Sequence, residues 1–340
     1  MSGVGSGFPV QDPTQVSVVR RAAQQAAMQL GFGEARAGEV ALIVTELGTN
    51  LVKHARQGEM LLRVLDDEAD GETGIEVLAL DRGPGIADVA VSRIDGYSTS
   101  GTLGQGLGAI GRLSDFFQVY TQPTGTAIVA RIARERRPAV AGKPRLEIGA
   151  VRVNAVGEAV CGDEWTARLR NERLVVMIAD GLGHGLAAHD AARRAVTEFA
   201  AIHEQDPGTI IGDLHAALRS SRGAALAVLA ADLERGIARY CGLGNISGLV
   251  MMPGGGRQNM VSQNGTAGHS AGRIHEFQYP FPRDAVLVMH SDGLVSHWDL
   301  AGYPGLRTRH PSLIAGVLYR DFSRRRDDVT IVVVKERPGV

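Results

Sequence analysis

Hydrophobic and polar positions follow two different periods in the first part of the chain. Apolar side chains at helical spacing, set among Arg, Gln and Glu, predict helices at residues 14–31 and 33–55. Shorter apolar runs predict strands at 59–66, 74–81, 116–122 and 126–133. The last two strands are separated by a turn at Pro123–Gly125, so they predict a hairpin. A glycine-rich loop and a short helix to about Asp115 precede that hairpin.

The second part of the chain is richer in strand-like runs than in helical ones. The predicted strands are at 146–156, 158–169, 173–180, 224–232, 237–241, 247–252, 285–291 and 329–335. The predicted helices are at 185–203, 207–221 and 311–323. Many strands with a few helices between them predict a two-sheet α/β sandwich.

A chain of 340 residues favours two domains of ordinary size. Residues 1–13 are rich in Gly, Ser and Pro and are expected to be flexible. The charged, proline-containing stretch at 134–145 predicts a linker. We therefore expect an N-terminal domain at 14–133 and a C-terminal domain at 146–337, within an α/β (α+β) fold class.

Composition excludes several classes of protein. The net charge is -1, and neither half has the basic excess expected of a nucleic-acid surface. No apolar stretch approaches the roughly 20 residues that span a bilayer, and the N-terminus has no signal-peptide pattern. The two cysteines, Cys161 and Cys241, do not make a disulfide framework. We expect a soluble cytoplasmic protein that binds neither nucleic acid nor membrane.

Acidic residues lie at the ends of several predicted strands in the C-terminal half. They are Asp163, Asp180, Asp292 and Asp327. Carboxylate oxygens are the ligands that Mg²⁺ and Mn²⁺ prefer, and a two-metal site needs several of them from separate strands. A single Asp-Gly after a strand is usually only a turn, so each position also has that simpler interpretation.

The order of the surrounding motifs resembles the PP2C-like phosphatases of the SpoIIE and RsbX type. The segments are CGDEW at 161–165, ADGLGHGLAAHDAA at 179–192, GNISGLV at 244–250, HSDGLVSHWD at 290–299 and RDDVTIVVV at 326–334. The resemblance implies an αββα sandwich with two Mn²⁺ or Mg²⁺ ions, whose activated water hydrolyses phosphoserine or phosphothreonine. It implies metal ligands at Asp163, Asp180, the Gly181 carbonyl, Asp292 and Asp327.

By this resemblance Asp180 bridges the two ions, which gives it the central catalytic role. Asp328 lies beside an expected ligand and ranks lower. His184, four residues after Asp180, could donate a proton to the leaving oxygen, or could only order its turn. Zinc is not expected, because no Cys/His set has ligand spacing.

Three N-terminal segments indicate a nucleotide site. Glu46, Asn50 and Lys53 share one face of the second predicted helix, which could position a Mg²⁺-bound triphosphate or could be a solvated stripe. Asp81, followed by Gly83 and Gly85, ends a strand and could accept the amine of adenine, or could form a plain turn. A glycine-rich loop at 101–111 suits phosphate binding but matches neither the dinucleotide fingerprint nor a P-loop.

Together these segments resemble the GHKL ATP-binding fold, an α/β sandwich, and in particular the small serine kinases of the RsbT and RsbW type. The resemblance implies that Asn50 holds the Mg²⁺ of ATP, that Asp81 binds adenine, and that Glu46 is the general base for a substrate serine. The remaining cofactor-binding residues implied are Lys53, Gly83, Gly85, Gly104, Gly106, Gly108 and Thr126.

Two motif sets on one chain predict a bifunctional regulator of a bacterial partner-switching or stress-response pathway. The expected partner is a STAS-domain phosphoprotein, of the anti-sigma antagonist or stressosome type. One alternative is a phosphatase whose GHKL domain only senses ATP or docks a partner, and another is a pair of inert scaffolds. We expect mutual control of the two activities, with the helix at 185–203 as its route.

Overall fold

The computed structural model describes residues 6–65, 73–86, 106–136, 145–170, 173–203 and 206–337. The chain divides into two compact units. The N-terminal unit comprises the described part of Gly3–Lys143 together with Leu300–Arg320. The C-terminal unit comprises the described parts of Pro144–Asp299 and Asp321–Val340. This division differs from the continuous 146–337 domain expected from the sequence, because one later segment packs with the N-terminal residues.

The N-terminal unit begins with two helices that pack against each other, α1 (Pro13–Gln29) and α2 (Glu34–His54). Asp12 caps α1 by accepting the backbone N–H groups of Thr14 and Gln15, and the Gln15 side chain returns a bond to the cap. This reciprocal arrangement satisfies N–H groups that have no partner inside the helix. Capping therefore fixes the start of α1, close to the position predicted from its apolar spacing.

An antiparallel sheet lies against these helices. Its strands are β1 (Ser6–Pro9), β2 (Glu59–Leu65), β3 (Gly74–Leu80), β4 (Phe116–Gln122) and β5 (Gly125–Ala133), in the order β1-β2-β3-β5-β4. Alternate residues of each strand, such as Met60, Val77 and Ala130, join the core formed with α1, α2 and a third helix, α3 (Gly106–Leu113). The predicted helices, strands and hairpin of this unit are confirmed.

Strand β1 corrects the expectation that residues 1–13 are flexible. Ser6–Pro9 pairs antiparallel with β2, and the Val10 N–H donates to the Gly58 carbonyl at 2.8 Å. Val10 is buried in the core. The Gly/Ser/Pro composition concealed this strand, because an edge strand is held mainly by backbone hydrogen bonds that need no apolar pattern.

The second face of this sheet is covered by the segment Leu300–Arg320, which includes most of helix α6 (Pro311–Phe322). Gly316 makes a close approach possible, since a Cβ there would lie 2.6 Å from the Cδ2 of Leu78. The Tyr319 hydroxyl donates to Glu59 at 2.6 Å. Strands β3 and β5 are consequently buried on both faces.

A charged row crosses this second face. Arg63, Glu76 and Arg131 are direct neighbours on β2, β3 and β5, and all three are buried. Arg131 donates to Glu76 at 2.7 Å, and the Ser312 hydroxyl of α6 donates to the same carboxylate oxygen at 2.6 Å. Helix α6 therefore supplies a hydrogen bond that the buried charges of the sheet require.

The C-terminal unit contains two main sheets. The strands are β6 (Leu146–Val153), β7 (Asp163–Arg170), β8 (Arg173–Gly181), β9 (Ala224–Asp232), β10 (Ile237–Leu243), β11 (Ser247–Met251), β12 (Arg257–Met260), β13 (Ser262–Gln263), β14 (Gly265–Thr266), β15 (Ser270–Ala271), β16 (Phe277–Pro280), β17 (Val286–His290) and β18 (Val329–Glu336). The first sheet has the order β13-β10-β9-β8-β7, with β16 also pairing β10, and the second has the order β12-β11-β17-β18-β6.

Two helices, α4 (Leu186–Ala201) and α5 (Pro207–Ala217), cover the first of these sheets. Their apolar residues form a core with those of β8 and β9, including Phe199, Leu214 and Val228. The two sheets meet at β7 and β18. The α/β fold class predicted for this half is confirmed, and only the short strands β12 to β16 had no counterpart in the prediction.

Both cysteines are buried and free. Within the described residues, no helix combines the length and the apolar character needed to cross a membrane.

Candidate functional site

Two of the predicted acidic residues are direct cross-strand neighbours. Asp163 begins β7, and its partner on β8 is Asp180. Asp163 is fully buried, and its carboxylate accepts a hydrogen bond from the Ser291 hydroxyl at 2.6 Å. Ser291 immediately precedes Asp292, so this bond brings the end of β17 to the ends of β7 and β8.

Asn245 links Asp292 to Asp180 within this cluster. Its side-chain amide donates to Asp292 at 2.8 Å and also hydrogen-bonds the Asp180 side chain. Asn245 lies in the family-like segment GNISGLV, and no site role was predicted for it. A polar amide between two apolar strands, in a segment shared with the resembled family, was the signal that could have identified it.

The carboxylates of this cluster repel one another. Burial raises the pKa of Asp180, the charges of Asp163, Asp292 and Asp327 raise it further, and the bond from Asn245 opposes them. Burial also raises the pKa of Asp163, and the hydrogen bond from Ser291 opposes it. A nearby divalent cation favours ionised carboxylates and would relieve this repulsion, so the chemistry of the residues fits a metal site.

The side chains do not form a complete ligand set as they stand. In the part of the chain that the structure describes, no three His, Cys, Asp or Glu side chains are arranged so that they could hold a metal ion. Asp163 and Asp292 instead accept the bonds from Ser291 and Asn245, and Asp327 is exposed. Metal binding would require these carboxylates to move closer together.

Asp328 has a different role from its neighbour Asp327. Its two carboxylate oxygens accept the backbone N–H groups of Ala155 at 2.8 Å and Gly162 at 2.7 Å. It therefore holds the loop that leads into Asp163. Its low rank as a metal ligand agrees with this geometry.

The glycines after Asp180 and Asp292 allow close passage of other backbone segments. A Cβ at Gly181 would lie 2.0 Å from the Ala188 carbonyl oxygen at the start of α4, and one at Gly293 would lie 2.0 Å from the Asp328 carbonyl oxygen. Any side chain at these positions would force the backbone apart. The Asp-Gly pairs thus have a packing reason beyond simple turn formation.

The histidines near this cluster have local partners. His184 lies 2.9 Å from Glu158 and is exposed, and His189 lies 2.9 Å from the Cys161 carbonyl oxygen. Both contacts are consistent with an ordering role in the loops around α4.

In the N-terminal unit, α2 and α3 bring part of the predicted nucleotide site together. Gly106, the first residue of α3, faces Asn50 and Glu46: a Cβ on it would lie 3.5 Å from the Asn50 amide nitrogen and 3.8 Å from a Glu46 carboxylate oxygen. Lys53 is exposed in the last turn of α2, and the described residues show no contact between it and this group. Gly104 lies outside the described residues.

A second group of the predicted nucleotide-binding residues lies around Asp81. Its carboxylate accepts the backbone N–H of Gly83 at 2.6 Å and of Thr126 at 3.3 Å. Gly85 has a φ of +80°, and a Cβ there would lie 2.2 Å from the Gln122 carbonyl oxygen. Burial raises the pKa of Asp81, and the bonds from Gly83 and Thr126 oppose this shift. Asp81, Gly83, Gly85 and Thr126 therefore form one structural group, while Gly108 lies within α3.

Comparison with known proteins follows the same division of the chain. The family model of the histidine kinase-like ATPase domain matches residues 10–132. The serine/threonine-protein kinase RsbT of Bacillus subtilis (strain 168) is 34% identical over 104 residues, which cover 31% of this chain and 77% of that protein. The chain belongs to the histidine kinase-like ATPase family.

The C-terminal part of this ATPase-family chain resembles SpoIIE-type, PP2C-like phosphatase domains. The family model of stage II sporulation protein E matches residues 170–337. The phosphoserine phosphatase RsbX of Bacillus subtilis (strain 168) is 22% identical over 186 residues, covering 53% of this chain and 90% of that protein. The predicted fusion of the two domain types is confirmed.

Solved structures support the phosphatase fold. A chain from work on the bacterial stressosome matches with a TM-score of 0.52 and 24% identity, covering 56% of this chain and 99% of its own. RsbX crystallised with magnesium matches with a TM-score of 0.50 and 21% identity, covering 58% of this chain and 98% of its own. At these identities the likeness establishes the fold.

Proposed function

We propose that this protein is a bifunctional regulator of a partner-switching pathway, with a metal-dependent phosphoserine/phosphothreonine phosphatase and an ATP-dependent serine kinase on one chain. The observation that carries the phosphatase half is the pairing of Asp163 with Asp180 across β7 and β8, beside Asp292. The kinase half is supported by Glu46 and Asn50 facing Gly106, and by the similarity to RsbT.

Asp163, Asp180, the Gly181 carbonyl, Asp292 and Asp327 would hold a pair of Mn²⁺ or Mg²⁺ ions. When bound, such ions supply an acidified water as nucleophile and stabilise charge that develops on the phosphoryl group. Asp180 interacts with three other acidic residues, Asp163, Asp292 and Asp327, which suits it to a place close to both cations. Asn245 and Ser291 orient Asp292 and Asp163 as hydrogen-bond donors, the usual task of groups that surround metal ligands.

In the N-terminal unit, Asp81 would accept the exocyclic amine of adenine, because its carboxylate is fixed by two backbone N–H groups. Asn50 would hold the Mg²⁺ that accompanies the triphosphate. Glu46 lies on the same side of α2 and would take the proton from a substrate serine hydroxyl. The substrate we propose for both activities is a STAS-domain protein, which follows from the family of both halves.

The phosphatase half is tested by metal removal. Purified full-length protein with Mn²⁺ should release phosphate from a phosphoserine-bearing STAS protein, and a chelator should abolish the release because the carboxylate cluster alone offers no nucleophile. Adding back Mn²⁺ or Mg²⁺ should restore the rate. Equal rates with and without the chelator would exclude the metal-dependent mechanism.

The kinase half is tested by Glu46→Ala. Loss of a general base should lower phosphotransfer from ATP to the STAS protein by at least about a hundredfold while ATP binding persists. Glu34→Ala, at the other end of α2, is the matched control and should leave phosphotransfer unchanged. If wild-type protein binds ATP but phosphorylates no STAS partner, the N-terminal unit is a sensing or docking module.

A further inference from the structure

Arg320 contacts the residues around Asp81 from a distant part of the sequence. It is the last residue of the segment Leu300–Arg320 and is only 3% exposed. Its guanidinium donates to the Asp81 carbonyl oxygen at 3.0 Å and to the Thr126 carbonyl oxygen at 3.4 Å. In return, the Arg82 side chain donates to the Arg320 carbonyl. Arg320 thus binds the backbone on which the Asp81 carboxylate is mounted.

These two backbone positions determine where the Asp81 carboxylate points. The backbone carbonyl of Asp81 accepts a hydrogen bond from Arg320, and its carboxylate accepts the Thr126 N–H. Gly125 makes room for the arginine: its φ is +148°, and a Cβ there would lie 2.6 Å from an Arg320 guanidinium nitrogen. The turn between β4 and β5 therefore lies in close contact with both Arg320 and Asp81.

The residues that follow Arg320 contact the segment that carries Asp292. Phe322 ends α6, and its carbonyl accepts the Val295 N–H at 3.0 Å. The Arg324 N–H donates to the Gly293 carbonyl at 2.8 Å, next to Asp292. Asp327 follows three residues later. A shift in the end of α6 would consequently move the backbone that carries both Asp292 and Asp327.

We propose that Arg320 is a positioning residue that makes adenine recognition by Asp81 depend on the segment Leu300–Arg320, so that nucleotide binding controls the phosphatase through α6. This inference rests on the ATP-binding and phosphatase activities proposed above. Coupling between binding equilibria is reciprocal: if the seated segment strengthens nucleotide binding, the nucleotide stabilises the seated segment. The route differs from α4, which the sequence suggested.

The first test compares ATP with inosine triphosphate, which lacks the exocyclic amine, on full-length protein. Wild type should prefer ATP. Arg320→Gln should weaken ATP binding about tenfold, the effect of losing hydrogen bonds from a charged donor, and should leave inosine triphosphate binding nearly unchanged. Arg320→Lys, which keeps a charged donor, should recover part of the ATP preference and serves if the glutamine variant does not fold.

Tyr319→Phe is the matched control, because it removes the bond to Glu59 from the neighbouring residue of the same helix. It should keep the wild-type preference for ATP. Equal weakening of both nucleotides by Arg320→Gln, or the same loss in Tyr319→Phe, would reduce Arg320 to general packing and overturn the positioning role. Absence of ATP binding by the wild type would instead refute the proposed nucleotide site itself.

The second test measures dephosphorylation of the phosphoserine STAS protein with Mn²⁺, with and without a non-hydrolysable ATP analogue. The analogue should change the wild-type rate roughly fivefold, as expected of a typical coupling between sites. The response should disappear in Arg320→Gln and persist in Tyr319→Phe. An active wild-type phosphatase that ignores the analogue would overturn the coupling while leaving the phosphatase assignment intact.

Discussion

Asp180→Asn is expected to lower the phosphatase rate by at least about a thousandfold, since the proposed role of Asp180 as a ligand of both metal ions would contribute several kcal/mol of transition-state stabilisation. The amide keeps the size of the side chain and can still hydrogen-bond Asn245, but it cannot neutralise two cations. Burial and the charges of Asp163, Asp292 and Asp327 raise the pKa of Asp180, so its ionised form is disfavoured in the metal-free protein and the amide replaces it without that penalty. We therefore expect the metal-free protein to unfold no more easily than wild type, while its phosphatase activity is lost.

Asp190→Asn is the matched control for this exchange. Asp190 belongs to the same ADGLGHGLAAHD segment but lies exposed on α4, so its variant should keep the wild-type rate. ATP binding should persist in both variants. A rate for Asp180→Asn within tenfold of wild type would show that the metal site does not depend on this carboxylate. Stability is measured by urea unfolding with a chelator present.

Glu76→Gln is expected to destabilise the N-terminal unit by about 3 kcal/mol, because it leaves the buried Arg63 and Arg131 without their shared carboxylate. The exchange conserves volume, so little of the loss would come from a cavity. Urea unfolding followed by hydrogen exchange of the β3 amides reports on this sheet directly. Glu198→Gln, whose ion pair with Arg194 is exposed, should change stability by less than about 0.5 kcal/mol.

The same group predicts a pH dependence. Burial would raise the pKa of Glu76, but the charges of Arg131 and Arg63 and the bond from Ser312 outweigh it, so its pKa lies below the ordinary 4.5. A carboxyl whose pKa is lowered by folding stabilises the fold above its unfolded pKa, and this stability is lost as the pH falls through its folded pKa. Glu76→Gln should remove that acid-dependent part of the stability. An identical pH profile in the variant would contradict the assignment.

Local patterns predicted much of each unit. Apolar spacing placed α1 and α2 within two residues of their observed ends, and the apolar run before Asp180 predicted β8. These elements bury one stripe or a whole strand, so their sequence carries the signal. Strand β1 and the short strands after β11 are held largely by backbone pairing. Backbone pairing needs no pattern of apolar and polar side chains, so the sequence did not predict these strands.

The candidate sites show the same contrast. Asp81 and Asp180 were identifiable because each ends an apolar strand and is followed by glycine. Ser291 was not, since a single polar residue at a strand end has no distinctive spacing, and Asn245 had only its place between two apolar strands in a family-like segment as a signal. Their roles depend on hydrogen bonds to Asp292 and Asp163, residues far away in the chain.

Motif order was sufficient to predict the fusion of an ATPase-family domain with a PP2C-like domain, together with the acidic and glycine residues on which each proposed site depends. The packing of Leu300–Arg320 on the N-terminal sheet and the contact of Arg320 with Asp81 became visible only in the folded chain. Periodicity reports which side of an element is apolar, not which surface will cover it. Helix α6 is buried along its length from Pro311 to Arg320. Its Ser312 hydroxyl donates to the buried Glu76 of β3, a contact that exists only after the chain has folded.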